Sequence, residues 1–366
     1  MSESAAGRVN QSLYVGVMSG TSLDGVDVVL VDAAAAPRLL ASVHHAFDEP
    51  LRRELLALNT PGENEVDRCA RLGNELARRY AAAVAELLGG CGKAAADVRA
   101  VGCHGQTVRH RPDRGYTLQI GNAALLAELA GITVVADFRS RDIAAGGQGA
   151  PLAPAFHATI FRHRSENRVV VNIGGIANVT RLPIEGTVLG YDCGPGNCLL
   201  DLWAAKHLGK SYDDNGAWAA GGEVIPALLE RLLNEPFLYA PPPKSTGRDL
   251  FNQAWLDARL QREEPRSVQA TLLEFTARCI VDACKGAARL IVCGGGSENG
   301  ALMRRLAALL DPIPVESSAV HGLDPSLVEA TAFAWLAERT LNNAPGNLAE
   351  VTGARGPRVL GAVYQK

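Results

Sequence analysis

The sequence is short of long apolar runs, of lysine and of closely paired cysteines. No stretch of eighteen apolar residues occurs in the 366 residues, so no segment is typical of a membrane-spanning helix. Only six of the 36 basic residues are lysine, and a formal net charge of -3 offers no electrostatic footprint for nucleic acid. The eight cysteines form no C-x-x-C pair, which argues against structural zinc. We therefore expect core thiols in a reducing cytoplasm, and neither a membrane nor a nucleic-acid partner.

The composition is otherwise that of a globular enzyme, with 47% hydrophobic and 20% charged residues. A chain of this length usually outgrows one core, which favours two domains. Short valine-rich segments alternate with segments of helical periodicity, and this alternation predicts an α/β fold. The predicted strands lie at 13–18, 26–32, 38–46, 100–103, 116–120, 132–136, 168–173, 176–182, 188–192 and 289–293. The predicted helices lie at 65–88, 123–130, 199–208, 268–284, 301–310 and 327–341.

Two hairpins with glycine-rich turns lie about 155 positions apart and each leads an α/β half. This arrangement indicates an internal duplication that is too weak to show as sequence identity. We predict domain I at 1–135, completed by about 346–366, and domain II at 136–345. The polar, glycine-rich segment 139–154 is predicted to be an interdomain or active-site loop.

Three glycine turns are candidate phosphate sites. The turn at 20–25 combines backbone N–H groups with two hydroxyls and the Asp24 carboxylate, which can hold Mg²⁺ through water. An ordinary hairpin turn explains these residues equally well. With the second turn, at Gly174 and Gly175, it suggests a pair of clamps on one polyphosphate. The third, at 294–296, could receive an adenosine or a phosphate at a helix N-terminus, or could be a simple strand-to-helix turn.

Several charged or titratable residues are candidates for chemistry. Asp192 ends a predicted strand before Gly-Pro-Gly, where a carboxylate can act as a general base or can cap the turn. His104 follows another strand and either faces a ligand or is a hydrogen-bonded structural residue. Arg139, Arg141 and Asp142 either grip an anionic substrate or belong to a solvated charged loop.

Longer strings resemble those of the anhydro-N-acetylmuramic acid kinases, and they run in order from residue 16 to about 361. Together the blocks are highly specific, although each short glycine string alone is not. The main blocks are Gly16-Val-Met-Ser-Gly-Thr-Ser-Leu-Asp-Gly-Val-Asp27, Gly102-Cys-His-Gly-Gln-Thr107, Asn172-Ile-Gly-Gly-Ile-Ala-Asn178, Asp192 with Gly194-Pro-Gly-Asn197, Lys244-Ser-Thr-Gly-Arg248, Val292-Cys-Gly-Gly-Gly-Ser297 and Glu329-Ala330.

This resemblance implies the actin-like (ribonuclease H-like) fold of sugar kinases and Hsp70, with two α/β domains about a cleft. It implies that ATP, with Mg²⁺, phosphorylates O6 of 1,6-anhydro-N-acetylmuramic acid while water opens the anhydro bridge at C1. The products are N-acetylmuramic acid 6-phosphate and ADP, and the pathway is peptidoglycan recycling with amino sugar catabolism. A homodimer is also expected.

The resemblance also implies roles for individual residues. Asp192 matches the catalytic aspartate that deprotonates the attacking water, and Asp24 would lie near Mg²⁺. His104, Arg139 and Glu329 would bind the sugar, with Arg139 on its lactyl carboxylate. The implied ATP-binding residues are Gly20, Thr21, Ser22, Leu23, Asp24, Gly25, Val26, Asp27, Gly174, Gly175, Gly294, Gly295 and Gly296. The chain departs from the family at Cys193, where a threonine is familiar, and this change removes a hydroxyl donor beside Asp192.

Other functions remain open at the level of sequence. One is a different kinase of the same fold, acting on an amino sugar without the anhydro bridge. Another is an actin-like or Hsp70-like nucleotide-gated binding protein. A dinucleotide oxidoreductase is disfavoured, because Gly194-Pro-Gly196 lacks the third glycine of the dinucleotide fingerprint.

Overall fold

Two mixed β-sheets with the same internal strand order organise the protein. The computed structural model describes residues 12–20, 22–247 and 249–366. The chain divides into two compact units. Unit 1 comprises the described residues up to Phe156 together with Glu329–Lys366, and unit 2 comprises His157–Val328.

The strands and helices follow in chain order. The strands are β1 (Leu13–Met18), β2 (Gly25–Asp32), β3 (Arg38–Ala46), β4 (Val98–Cys103), β5 (Gln106–Arg111), β6 (Tyr116–Ile120), β7 (Val134–Ala136), β8 (Arg168–Ile173), β9 (Ile176–Leu182), β10 (Leu189–Pro195), β11 (Arg289–Cys293), β12 (Val315–Ser317) and β13 (Ala362–Tyr364). The α-helices are α1 (Glu49–Ala57), α2 (Glu65–Gly90), α3 (Ala123–Ala130), α4 (Ser140–Ala144), α5 (Ala153–Phe161), α6 (Cys198–Leu208), α7 (Pro226–Leu233), α8 (Pro236–Tyr239), α9 (Gln253–Asp257), α10 (Pro265–Ala283), α11 (Gly300–Leu310), α12 (Val328–Leu341) and α13 (Ala349–Thr352).

Unit 1 is built on a six-stranded sheet of order β13-β7-β4-β1-β2-β3. Strands β1, β2 and β3 form an antiparallel meander, whereas β4 and β7 run parallel to β1. The last strand, β13, pairs antiparallel with β7 and so brings the end of the chain into this sheet. The inner strands β1 and β2 are almost wholly buried, as their valine-rich sequences require, and β3 alternates between half-buried and exposed residues at the sheet edge.

Helix α12 belongs to unit 1 because two glycines let its backbone approach the sheet. Gly16 on β1 lies opposite Gly102 on β4. A Cβ on Gly16 would lie 1.9 Å from the carbonyl oxygen of Ala330, and one on Gly102 would lie 2.0 Å from that of Phe333. No side chain fits in either place, so both positions require glycine.

Unit 2 repeats the arrangement with a five-stranded sheet of order β10-β9-β8-β11-β12. Strands β8, β9 and β10 form an antiparallel meander, and β11 and β12 run parallel to β8. When the strands of each sheet are counted in chain order, both sheets read third-second-first-fourth-fifth with the same directions, and β13 adds a sixth strand in unit 1. This is the topology of a ribonuclease H-like unit, and the predicted α/β, actin-like fold class is confirmed.

The boundaries of the two compact units differ from the predicted domain boundaries. The sequence placed the bounds near 135 and 345, whereas the units divide after Phe156 and after Val328. The close approach of α12 to β1 and β4 explains the second difference. Hydrophobic periodicity did not predict strand β5, which is stabilised by pairing with β6. It also did not predict helix α4, which lies within the segment predicted to be a loop. Among the described residues, no helix is both long enough and apolar enough to cross a bilayer.

Candidate active site

The first glycine turn, between β1 and β2, is anchored by buried groups on both sides. The Oγ atom of Ser19 lies 2.8 Å from the hydroxyl of Tyr80 and donates to the carbonyl of Gly105. The side-chain amide of Gln106 donates to the carbonyl of Gly20 at 3.1 Å. Leu23 is buried with a left-handed backbone, φ 57°. These contacts hold the turn in one shape, as a preformed phosphate loop requires.

Two polar side chains of this turn face solvent. Ser22 and Asp24 are exposed, and the Ser22 hydroxyl donates to Asp24 Oδ1 at 2.7 Å. Thr21 lies outside the described residues, so its predicted role stays a prediction. Gly25 is needed for strand pairing, because a Cβ there would lie 2.4 Å from the carbonyl oxygen of His45. Gly20 is different, since the nearest atom to its Cβ position among the described residues, chain neighbours aside, is Ser22 Oγ at 3.6 Å.

The described residues gather no set of three His, Cys, Asp or Glu side chains that could hold a metal ion by themselves. A magnesium ion here would therefore take most of its oxygen ligands from phosphate and water, which is common for this ion. The exposed Asp24 carboxylate fits the predicted contact through water.

The second glycine turn, between β8 and β9, is bound to the start of α6. The carbonyl of Gly174 accepts from the backbone N–H of Asn197, and that of Gly175 accepts from the N–H groups of Gly196 and Cys198. With both carbonyls turned toward α6, the N–H groups of the two glycines have no backbone acceptor among the described residues. Free backbone donors in a tight turn are what an anionic phosphate needs.

The third glycine loop follows β11 at the same end of the unit 2 sheet. Gly294 has φ 81°, and a Cβ there would lie 2.3 Å from the Asn172 side-chain oxygen. A Cβ on Gly296 would lie 2.3 Å from the side chain of Ile173. Gly295 instead has open space around its Cβ position. The loop therefore packs tightly against the end of β8, beside the second turn, while its middle residue remains open to a ligand.

Asp192 lies on β10, where a bulge interrupts the pairing with β9 before Gly194. Its Oδ2 atom accepts from the backbone N–H of Thr246 at 2.9 Å, and its own N–H donates to the carbonyl of Lys244. Burial raises the pKa of the Asp192 carboxyl, although the hydrogen bonds from Thr246 and Ser245 and the charge of Lys244 oppose the increase. A raised pKa and a fixed orientation are properties of a general base.

Cys193 follows Asp192 on β10, at the bulge that precedes Gly194. Its buried thiol donates to the carbonyl of Ala177 at 3.3 Å, and burial raises the thiol pKa well above its ordinary value. The thiol is therefore directed to β9, and the expected loss of a hydroxyl donor beside Asp192 stays a prediction.

Arg139 and His104 form a hydrogen-bonded pair within unit 1. The Nε and Nη2 atoms of Arg139 lie 3.3 and 3.0 Å from His104 Nε2, and Nη1 donates to the carbonyl of Gly149 at 2.8 Å. Burial, together with the arginine charge, lowers the pKa of His104 to about 3. The imidazole is therefore neutral and accepts from the arginine, so it orients Arg139 and cannot serve as a proton donor near neutral pH.

Two carboxylates accompany this pair. Glu329, in the first turn of α12, is exposed, yet the surrounding protein raises its pKa by desolvation. Arg139 acts to lower that pKa, and Asp27 acts to raise it. Asp27 itself lies 2.8 Å from the Nδ1 atom of His44 on β3. Unit 1 thus brings together four predicted residues, namely Asp27, His104, Arg139 and Glu329.

The sequence missed the residues that support these groups. Thr246 and Ser245 hold Asp192, and Gln106 holds the first turn, although all three stand in blocks that resemble the kinase family. Asp142, a candidate for binding an anionic substrate, is fully buried and bonded within unit 1. No local pattern distinguishes such a buried carboxylate from an exposed one.

Comparison with known proteins shows which proteins this chain is similar to. The family model for anhydro-N-acetylmuramic acid kinase matches residues 12–366. A protein of that name from Thiobacillus denitrificans is 56% identical over 96% of this chain and 96% of its own length. Another from Cupriavidus pinatubonensis is 54% identical over 98% of this chain and its own full length, 100%. Among solved structures, a ROK family glucokinase from Streptomyces griseus is 16% identical over 88% of this chain and 99% of that chain, with a TM-score of 0.40.

Proposed function

The chain belongs to the anhydro-N-acetylmuramic acid kinase family, and from this premise we propose that it converts 1,6-anhydro-N-acetylmuramic acid, ATP and water to N-acetylmuramic acid 6-phosphate and ADP. It is thus a phosphotransferase with an alcohol group as acceptor, acting in peptidoglycan recycling and amino sugar catabolism. The observation that carries the proposal is the family match over residues 12–366, with Asp192 at the glycine-rich end of the unit 2 sheet.

Asp192 is the general base of this proposal. O6 of the substrate is an ether oxygen and attacks phosphorus poorly until the bridge breaks. The carboxylate takes a proton from a water molecule, the water attacks C1, and the C1–O6 bond breaks. The released O6 then becomes the phosphoryl acceptor. The backbone N–H of Thr246 fixes one carboxylate oxygen, so the carboxylate is oriented before the substrate arrives.

The glycine turns bind the nucleotide. Gly174 and Gly175 present N–H groups to phosphate, and the open position at Gly295 admits the ligand close to the backbone. In unit 1, the turn at Ser22 and Asp24 offers a hydroxyl and a carboxylate. A magnesium ion would supply charge neutralisation for phosphoryl transfer, and the exposed Asp24 carboxylate would hold it through water.

Arg139 binds the lactyl carboxylate of the sugar. Its five N–H donors make three hydrogen bonds within the described part of the chain, two to His104 and one to Gly149. One N–H on each terminal nitrogen is left for a carboxylate, which suits bidentate binding. His104 sets the orientation of the guanidinium, and Glu329 accepts from a sugar hydroxyl.

A product analysis tests the proposed reaction. The purified protein is incubated with Mg·ATP and the anhydro sugar in ¹⁸O-water, and the products are identified by mass and NMR. We expect one label at C1, none in the oxygen between sugar and phosphate, and an initially inverted anomer. Label at O6, or a phosphorylated sugar with an intact anhydro ring, would replace this mechanism by that of an ordinary sugar kinase.

We further propose a homodimer in the cytoplasm. None of the eight cysteines, all of which lie among the described residues, forms a disulfide, which suits a reducing compartment. Light scattering on the purified protein tests the dimer, and fractionation of cells that produce the full chain tests the compartment.

A further inference from the structure

We infer that Asp142 is a positioning residue for Arg139, and that the segment 347–355 near the end of the chain completes the support. The inference deepens the proposed function, because it rests on Arg139 as the group that binds the lactyl carboxylate. Asp142 would act through the loop 144–149 and would not touch the substrate.

Asp142 is buried completely and uses both oxygens. Oδ1 accepts from the side-chain amide of Asn347 at 2.6 Å and from the hydroxyl of Thr352 at 2.7 Å. Oδ2 accepts from the backbone N–H of Gly149 at 2.8 Å. All three donors and the carboxylate are shielded from water, so each bond is stronger than on the surface and more costly to lose.

Gly149 connects this carboxylate to Arg139. Its N–H donates to Asp142, and its carbonyl accepts from Arg139 Nη1 at 2.8 Å. A Cβ on Gly147 would lie 2.2 Å from Asp142 Oδ2, so the loop is wrapped closely around the carboxylate. The position of the guanidinium therefore depends on where Asp142 holds the Gly149 peptide.

The segment near the end of the chain binds the same loop along its length. The backbone N–H of Gln148 donates to the carbonyl of Thr352, and the backbone N–H of Arg355 donates to that of Ala145. The Arg355 side chain adds a bond to the carbonyl of Ala144 at 3.2 Å. Together with the two side-chain donors to Asp142, these bonds leave the loop little freedom to shift.

The negative charge of Asp142 also supports its role as a positioning residue for Arg139. Burial lowers the pKa of Arg139, whereas the carboxylates Glu329 and Asp142 act to raise it. Asp142 thus offsets part of the cost of burying the guanidinium charge, while its bond to the Gly149 peptide fixes the direction of the arginine. A charged, oriented guanidinium binds a substrate carboxylate with little reorganisation.

The test compares the natural sugar with its lactyl amide, which keeps the shape and loses the charge. Thr352→Val removes one donor to Asp142 without touching Arg139. We expect the KM for the acid to rise about tenfold, because small misplacements of a binding group suffice, while the KM for ATP stays unchanged. The preference for the acid over the amide should fall by a similar factor. Thr352→Ser keeps the hydroxyl and should restore both.

A matched control separates this effect from loss of stability. Thr180→Val removes another buried threonine hydroxyl, which bonds His157 in unit 2, and should leave the acid preference unchanged. If Thr352→Val does not fold, Thr352→Ala, which leaves room for a water molecule, takes its place. If the wild type is active and the Thr352→Val variant keeps the wild-type preference for the acid over the amide, this inference alone is overturned. A wild type that does not phosphorylate the sugar overturns the proposed function as well.

Discussion

Acid is expected to destabilise the protein through a buried histidine outside the candidate site, His157. This side chain is only 1% exposed, and its Nδ1 atom lies 2.9 Å from the hydroxyl of Thr180. Its Nε2 atom has no hydrogen-bond partner among the described residues. Burial is the cause that lowers the pKa of His157 to about 3. Protonation in the folded state would place an uncompensated charge in the core.

The size of the effect follows from proton linkage. The pKa of His157 is about 3 in the folded protein, against an ordinary value of about 6.5 in the unfolded chain. The unfolded chain therefore takes up the proton first. Stability is fully present above about pH 6.5 and is lost as the pH falls toward the folded-state pKa. Between pH 7 and pH 5 this one group costs about 2 kcal/mol of unfolding free energy, a large part of the roughly 5–15 kcal/mol of a typical domain.

Urea unfolding at several pH values measures this cost. Three of the four tryptophans, Trp203, Trp218 and Trp255, lie in unit 2, so fluorescence reports mainly on that unit. His157→Asn keeps a polar partner for Thr180 and cannot gain a charge. Subtracting the unfolding free energy of the variant from that of the wild type at each pH removes the contribution of the other titrating groups. We expect the stability advantage of the wild type to shrink by about 2 kcal/mol from pH 7 to pH 5. A difference that is independent of pH, or an NMR titration of His157 near 6.5, would refute the reasoning.

Three further predictions concern the sheet of unit 1 and the candidate site. Gly102→Ala should destabilise the protein by about 2 kcal/mol or more, since its Cβ would lie 2.0 Å from the Phe333 carbonyl; an unchanged urea midpoint would contradict the packing of α12. Asp192→Asn should lower kcat at least about 10²-fold and leave calorimetric ATP affinity unchanged, whereas near-normal turnover would leave Asp192 as a turn cap. Asp24→Asn should raise the Mg²⁺ concentration needed for half-maximal rate, and an identical magnesium titration would exclude Asp24 from the metal site.

Much of the fold could be predicted from local patterns. The valine-rich strands β1, β2, β8 and β9 and the long helices α2 and α10 were predicted within a few residues, because side-chain periodicity and flanking glycines are properties of neighbouring residues. Family membership followed from whole strings. The place of Asp192 before Gly-Pro-Gly made it a candidate general base or turn cap, and the family resemblance implied the first role. The short elements β5 and α4 were missed. Strand β5 depends on pairing with its neighbour β6, and α4 carries Asp142, whose partners Asn347 and Thr352 are distant in the sequence.

The tertiary structure decided which of the candidate residues meet. Asp142 lies 205 positions before Asn347 and yet bonds it in the core, which no local pattern indicates. His104 became a neutral acceptor for Arg139 only because burial and that arginine, 35 positions away, both act on its ring. Local patterns were enough to predict the longer strands and helices and the family. Hydrogen bonding, burial and charge at each side chain depended on groups from distant parts of the chain, and only folding brings those groups within reach.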